Sequence, residues 1–168
     1  MSVRPILRWP DERLSKKCDP VQEITDEICD LADDMLATMY AAPGRGLAAP
    51  QVGVLKRMFV MDAIWKDGAD RAPQVFVNPE IIAASSDNAE REEGCLSIPG
   101  VTVSVTRPAE VEVKWQDLTG NQHQVQFDGF AAACVQHEID HMDGIVTFDR
   151  LEEVSRARAI KAYSEVPE

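Results

Sequence analysis

The stretch Gln136-His137-Glu138-Ile139-Asp140-His141 contains the pattern H-E-x-x-H, and the rest of the chain is organised around it. On a helix, His137 and His141 lie one turn apart on the same face, so both imidazoles can bind one metal ion. Glu138 follows the first histidine and is close enough to exchange a proton with a water molecule on that ion. The pattern alone leaves one alternative open, an amphipathic helix with two incidental histidines.

The helix that carries the motif is predicted to begin after Asp128, a possible N-cap, and to end at Gly144. One face of this helix holds residues at i, i+3 and i+4 spacing, namely Phe130, Ala133, Cys134, His137 and His141. Beyond the helix, residues 145–148 predict a short strand and residues 152–163 a final helix.

The chain before the motif begins with an extended or looping segment, residues 1–24, which contains three prolines. Residues 26–41 predict an amphipathic helix with Thr25 as its N-cap, because apolar residues recur at helical spacing. The glycines and small residues of 44–53 indicate a loop. Two interpretations of this loop stay open: a close approach of backbone to a ligand, or a tight connection.

Short apolar or alternating segments then predict strands. These are 58–61, 75–77 with a continuation over 79–82, and an antiparallel meander built on Val101, Val103, Val105, Val111, Val113, Trp115, Val125 and Phe127. Residues 65–73 and 85–92 are predicted to be polar connections. The predicted fold class is α+β, with antiparallel or mixed β-sheets packed around a central metal-binding helix, an N-terminal helix and a C-terminal helix.

Length and composition limit what the chain can be. Its 168 residues fit a single catalytic domain, 1–168, and a net charge of −12 argues against a specific grip on DNA. The four cysteines contain no C-x-x-C pair and suggest no disulfide framework. No apolar run has the length of a signal peptide or of a membrane span, so we expect a cytoplasmic protein with reduced thiols.

A catalytic metal site usually has three protein ligands and one open position. The third ligand could be Cys95, His123 or a carboxylate. Cys95 is favoured, because it lies in a glycine-flanked loop. Cys134 would crowd the histidine face and is interpreted as core or pocket wall, and His123 as a solvated surface residue.

Three segments of the chain resemble the signature motifs of the bacterial peptide deformylases, in sequence and in order. They are 44–53 (G-x-G-L-A-A-P-Q), 93–99 (E-G-C-L-S) and 136–144 (Q-H-E-x-D-H), and the resemblance extends over essentially the whole chain. It implies that Cys95, His137 and His141 hold one divalent metal ion. Fe2+ is then the expected native ion, with Zn2+, Ni2+ or Co2+ as alternatives.

The same resemblance implies an activity, hydrolytic removal of the formyl group from N-formylmethionyl nascent peptides. Glu138 corresponds to the family's general base, and the Gln51 amide with the Leu96 N–H to its oxyanion-binding groups. The substrate would run along two backbone edges, Gly44-Arg45-Gly46 and Glu93-Gly94. Its methionine side chain would enter an apolar pocket lined by Leu96, Phe130, Ala133 and Cys134.

Two positions depart from the family pattern. Thr102 stands where many members have an arginine, and Arg45 occupies the variable position of the first motif. A paralogue with altered N-acyl-peptide specificity therefore stays an alternative, as does a generic H-E-x-x-H metallopeptidase. The resemblance also implies a transient contact of the C-terminal helix with the ribosome. Helix-dipole complementarity and solvation explain the basic residues of that helix more simply, and this interpretation is favoured.

Overall fold

The computed structural model describes residues 1–167, and its first long element is helix α1, Asp26–Ala41. The Thr25 hydroxyl oxygen accepts a hydrogen bond from the Ile28 N–H at 3.4 Å, so the predicted N-cap is confirmed. Buried side chains at helical spacing, among them Leu31, Met35 and Met39, form the face that packs on the sheet. The segment before α1, predicted as extended or looping, also contains a short 3-10 turn, Glu12–Ser15.

Residues 1–167 form seven strands: β1 (Gly46–Ala48), β2 (Met58–Met61), β3 (Gln74–Ala84), β4 (Asn88–Cys95), β5 (Ile98–Pro108), β6 (Val111–Gln116) and β7 (Gln122–Phe127). Five of them form one antiparallel sheet in the order β1-β2-β3-β6-β7, and β4 pairs with β5 in a separate two-stranded sheet. Strand β1 is therefore an edge strand, with one side of its backbone unpaired in the sheet.

Three strand predictions need correction. Residues 85–92 are not a connection, because β4 begins at Asn88 and continues to Cys95. The expected single meander is wrong for Val101–Val105, because these residues belong to β5 and pair with β4 rather than with β6. The glycine-rich segment 44–53 is not all loop, since it contains β1 followed by a 3-10 turn, Ala49–Val52.

Helix α2, Gly129–Met142, carries the histidine motif, and nearly all of its residues from Ala132 onward are buried. Asp128 lies at the N-cap position, but its side chain makes no capping hydrogen bond. The helix ends where Gly144 adopts a φ of 75°, in the left-handed region that glycine favours. The strand predicted for 145–148 is wrong, because this segment leads into a 3-10 turn, Thr147–Arg150.

Helix α3, Glu153–Ser164, closes the chain and packs on β5. Its Tyr163 hydroxyl donates to the carbonyl of Trp9 at 2.8 Å, which ties the C-terminal helix to the N-terminal segment. Together the elements give the α+β fold that was predicted. No helix within residues 1–167 has the length and apolar character needed to cross a membrane.

Candidate metal centre

Three side chains from two elements meet at one point. Cys95 is the last residue of β4, and its Sγ lies 3.4 Å from Nε2 of His141. Nε2 of His141 lies 3.2 Å from Nε2 of His137, and all three atoms lie within 4.8 Å of one another. Metal bonds of about 2.0–2.3 Å to nitrogen and sulfur in tetrahedral geometry give edges of roughly 3.3–3.6 Å, so the donor set fits one metal ion.

The imidazole of His137 is held by a carboxylate. Its Nδ1 donates to Oε1 of Glu93 at 3.0 Å, which leaves Nε2 free to face Cys95 and His141. Burial by itself would raise the pKa of Glu93, but hydrogen bonds from His137 and Arg107 outweigh it and lower the pKa to about 2. Glu93 is therefore an anion, and its side chain supports the site, whereas the sequence suggested only its backbone as a substrate edge.

A buried chain of charges extends from Glu93 to the surface. Arg107 donates to both oxygens of Glu93, at 2.7 and 3.0 Å, and to Asp140 at 2.8 Å. Arg150 donates to the same aspartate at 2.9 and 2.6 Å. Asp140 lies inside the histidine motif, but nothing in the sequence pairs it with Arg107 or Arg150.

His141 completes the donor set as a neutral imidazole. Burial lowers its pKa well below the ordinary value. Its Nδ1 is buried and has no hydrogen-bond partner among the described residues. A neutral histidine with Nε2 facing Sγ of Cys95 is the form that binds a metal ion.

Glu138 lies beside the three donors, with 3% of its surface exposed. Its Oε1 is 3.8 Å from Nε2 of His137, and its Oε2 has no hydrogen-bond partner within residues 1–167. Burial raises the pKa of Glu138 to about 7. A Cβ at Gly46 would lie 3.1 Å from the carboxyl carbon of Glu138 and 2.9 Å from Sγ of Cys134, so glycine allows β1 to pass this close.

The Gln51 side chain is oriented by hydrogen bonds at both ends. Its Oε1 accepts from the Ala48 N–H at 2.9 Å, and its Nε2 donates to the Ser97 hydroxyl at 3.0 Å. The amide nitrogen is then 3.8 Å from Sγ of Cys95. An N–H donor therefore faces the metal site, and Ser97 is a supporting residue that the sequence did not single out.

A cavity of about 920 Å³ opens beside the donors. Its lining includes every residue predicted for the site except His141, namely Gly44, Arg45, Gly46, Gln51, Glu93, Gly94, Cys95, Leu96, Phe130, Ala133, Cys134, His137 and Glu138. Burial raises the pKa of Cys134 well above its ordinary value, so this thiol is a neutral part of the wall. His123 is remote from the metal site, exposed on β7 and hydrogen-bonded to Asp117 at 2.7 Å.

A thiolate and two imidazoles that fit one metal ion, beside a buried carboxylate and a cavity, define the class of metal-dependent hydrolases. The family model described as polypeptide deformylase matches residues 3–157. The chain therefore belongs to the polypeptide deformylase family.

Relatives and solved structures agree with this membership. The chain is 48% identical to a peptide deformylase of Afipia carboxidovorans, over 98% of this chain and 95% of that one. It is 47% identical to a peptide deformylase of Phenylobacterium zucineum, over 96% of this chain and 95% of that one. The crystal structure of a peptide deformylase from Legionella pneumophila has a TM-score of 0.91 and 41% identity, over 98% and 95%. The crystal structure of peptide deformylase from Ehrlichia chaffeensis in complex with actinonin has a TM-score of 0.89 and 40% identity, over 96% of this chain and 95% of that one.

Proposed function

We propose that this chain removes the formyl group from the N-terminal formylmethionine of newly synthesised polypeptides by hydrolysis. The observation that carries the proposal is the convergence of Cys95, His137 and His141 beside a cavity that Cys95 and His137 line, in a member of the polypeptide deformylase family. The carboxylate of Glu138 and the amide of Gln51 line the same cavity. A role in amide hydrolysis is proposed for each of these two groups below.

Cys95, His137 and His141 would hold one divalent ion. When bound, such an ion supplies a Lewis acid that lowers the pKa of a water molecule from about 15.7 toward about 7. Thiolate and imidazole ligands suit Fe2+ and Zn2+. We propose Fe2+ as the native ion, on the family resemblance, with Zn2+, Ni2+ or Co2+ as ions that the same donors accept.

Glu138 is proposed as the proton carrier. Its carboxylate lies beside His137 and has an oxygen without a hydrogen-bond partner in the described chain. That oxygen can accept the proton of the attacking water and then deliver it to the departing amine of the peptide. General acid–base catalysis of this kind contributes about 10²–10⁴-fold to a rate.

When water attacks the formyl carbon, negative charge develops on the formyl oxygen. This oxyanion is proposed to accept hydrogen bonds from two N–H donors, the Gln51 side-chain amide and the Leu96 backbone. Ala48 and Ser97 fix the Gln51 amide before substrate binds. A donor that is already oriented does not have to reorganise during the reaction, and one such donor is typically worth about 3 kcal/mol of barrier.

The substrate is proposed to bind as an added strand. Strand β1 is at the edge of its sheet, so the backbone from Gly46 onward has one side unpaired in the sheet. Gly44 and Arg45, which lie just before β1, line the same cavity as Glu93 and Gly94. Main-chain hydrogen bonds to such edges hold an extended peptide with little regard to its sequence. The methionine side chain then enters the apolar part of the cavity, lined by Leu96, Phe130, Ala133 and Cys134.

The test compares formyl-Met-Ala-Ser with unformylated Met-Ala-Ser, using protein loaded with Ni2+ or Zn2+ and checked for metal content. We expect formate release from the first peptide and no cleavage of the second. Glu138→Gln should keep its metal and lose about 10²–10⁴-fold in formate release. Cleavage of internal peptide bonds without formate release would instead identify a general metallopeptidase.

Cytoplasmic location and a transient ribosome contact stay predictions. Helix α3 carries Arg156, Arg158 and Lys161 on exposed positions, but Glu152 and Glu153 begin it. Ribosome co-sedimentation of the full chain, compared with a variant in which these three basic residues are glutamine, tests the contact. Equal co-sedimentation would remove it.

A further inference from the structure

Cationic side chains are concentrated at the mouth of the cavity, although the chain has a net charge of −12. It is lined by Arg45, which immediately precedes β1, by Lys66 of the loop after β2 and by Arg91 of β4. Within residues 1–167, Lys66 and Arg91 form no ion pair with a carboxylate. Glu92 also lines the mouth, so cations outnumber the exposed anions there.

Arg45 is held above an aromatic ring. Its guanidinium carbon lies 4.6 Å from the centre of the Phe130 ring, and one of its nitrogens lies 3.0 Å from Oδ1 of Asp67. The Asp67 side chain is 63% exposed. An exposed ion pair of this kind contributes only about 0–1 kcal/mol, so a substrate carboxylate can replace Asp67 at little cost.

Arg91 approaches the same region from the opposite sheet. Side chains alternate along a strand, so Arg91 shares a face of β4 with Glu93, and a register shift in the pairing with β5 lies between Glu93 and Cys95. Its guanidinium lies 3.9 Å from the Cβ position of Gly129, the residue before Phe130. Arg91 lies four positions before Cys95 along the strand, a distance of about 13 Å. An extended peptide whose formyl group is at Cys95 would place its second and third residues within that span.

The loop that carries Lys66 and Asp67 is fixed to the segment just before β1. The carboxylate of Asp62 is buried and accepts hydrogen bonds from the Tyr40 hydroxyl at 2.6 Å and from the Ala72 N–H at 2.8 Å. The Trp65 indole donates to the carbonyl of Gly44 at 3.0 Å. These bonds set the position of the cationic mouth relative to the edge strand.

We infer that the cavity mouth selects formylmethionyl peptides that carry a carboxylate at the second or third residue, through Arg45 and Arg91. The inference rests on the proposed function and deepens it by naming a substrate class. The carboxylate can come from an aspartate or glutamate side chain, or from the free C-terminus of a short peptide. Both sources offer the same planar anion, which an arginine can bind with two N–H groups.

The test measures kcat/KM for formate release from four peptides by the metal-loaded protein. Formyl-Met-Asp-Ser-amide and formyl-Met-Lys-Ser-amide vary the side-chain charge, and formyl-Met-Ala-Ser is compared as free acid and as amide. We expect the aspartate peptide to exceed the lysine peptide about 3- to 10-fold at low salt. The free acid should exceed the amide in the same direction. Both ratios should fall toward one in about 0.5 M salt, because exposed charges are screened.

Single and double variants show which arginines produce the preference for the aspartate peptide. Arg91→Gln and Arg45→Gln should each lower the aspartate-to-lysine ratio at least about 2-fold, and the double variant should bring it close to one. Arg158→Gln, which removes an exposed cation on α3, should leave the ratio unchanged. A ratio near one in the parent protein, or an unchanged ratio in the double variant, would overturn the inference while leaving deformylation intact. If no peptide releases formate, the proposed function itself fails, and the inference fails with it.

Discussion

Oε1 of Glu93 lies 3.0 Å from Nδ1 of His137, and this contact fixes which nitrogen of the imidazole faces the metal site. A carboxylate that accepts from Nδ1 holds the tautomer in which Nε2 is available as a ligand, and it also raises the basicity of that nitrogen. The end of strand β4 therefore contributes twice, through Sγ of Cys95 and through the support that Glu93 gives to His137.

The first prediction follows from this contact. Glu93→Gln should weaken metal binding about 10- to 100-fold, because the neutral amide supports His137 less well. Competition with a chromophoric chelator measures the affinity. Glu92→Gln is the matched control, since Glu92 is the next residue along β4 and is exposed. Equal affinities for the two variants would contradict the role given to Glu93.

The second prediction separates the two thiols that line the cavity. Cys95→Ala should lose its bound metal, because two imidazoles alone leave the donor set incomplete. Cys134→Ala should keep it, because the Cys134 thiol is buried, neutral and 4.0 Å from the carbonyl of Arg45 rather than among the donors. Elemental analysis after anaerobic purification gives the metal content of each. Metal loss in Cys134→Ala alone would exchange the two assignments.

The helices that carry clear local sequence signals, such as caps and periodic apolar faces, were predicted from the sequence. Helix α1 has a cap and a periodic apolar face, and α2 has the motif and a stopping glycine, so both were predicted with nearly correct bounds. Strand β4 was missed because its residues are polar and mostly exposed, with no apolar alternation to mark it. The backbone pairing of β4 with β5 determines its conformation, and that partner lies beyond a turn.

The site residues also divide into those that sequence motifs mark and those that no motif marks. Cys95, His137 and Glu138 stand in recognisable motifs, so the sequence places them at the site. Arg107 belongs to no motif, and its two carboxylate partners are 14 and 33 residues away along the chain. Only the folded structure shows that β4, β5 and α2 bring these charges into one buried network.

The third prediction concerns that network. Arg107→Ala should lower the free energy of unfolding by about 3–5 kcal/mol, because it leaves Glu93 without its cation and removes one of the two arginines that bind Asp140. Arg150→Ala should cost about 1 kcal/mol or less, because the Arg150 side chain is 43% exposed and water can replace it. Urea unfolding of both variants, each with metal removed, measures the difference. Similar losses would show that Arg107 is not the buried centre of the network.

The fourth prediction is a pH dependence of stability that originates at Asp62. Burial by itself would raise the pKa of this fully buried carboxyl group, but hydrogen bonds from Tyr40 and from backbone N–H groups outweigh it and lower the pKa. A carboxyl group whose pKa is lower in the folded state stabilises the fold above its unfolded pKa of about 3.9. The stabilisation is lost as the pH falls through the folded pKa.

Asp62→Asn should therefore lower the free energy of unfolding by about 2–3 kcal/mol at pH 7, because an amide cannot accept all of these hydrogen bonds. The difference from the parent protein should shrink as the pH falls below about 4, since the parent then loses the same anion. Asp67→Asn is the control, because its exposed side chain should change stability little at any pH. Urea unfolding of the three proteins between pH 7 and pH 3 gives the curves. A difference that stays constant over this range would mean that the charge of Asp62 does not stabilise the loop beside the cavity.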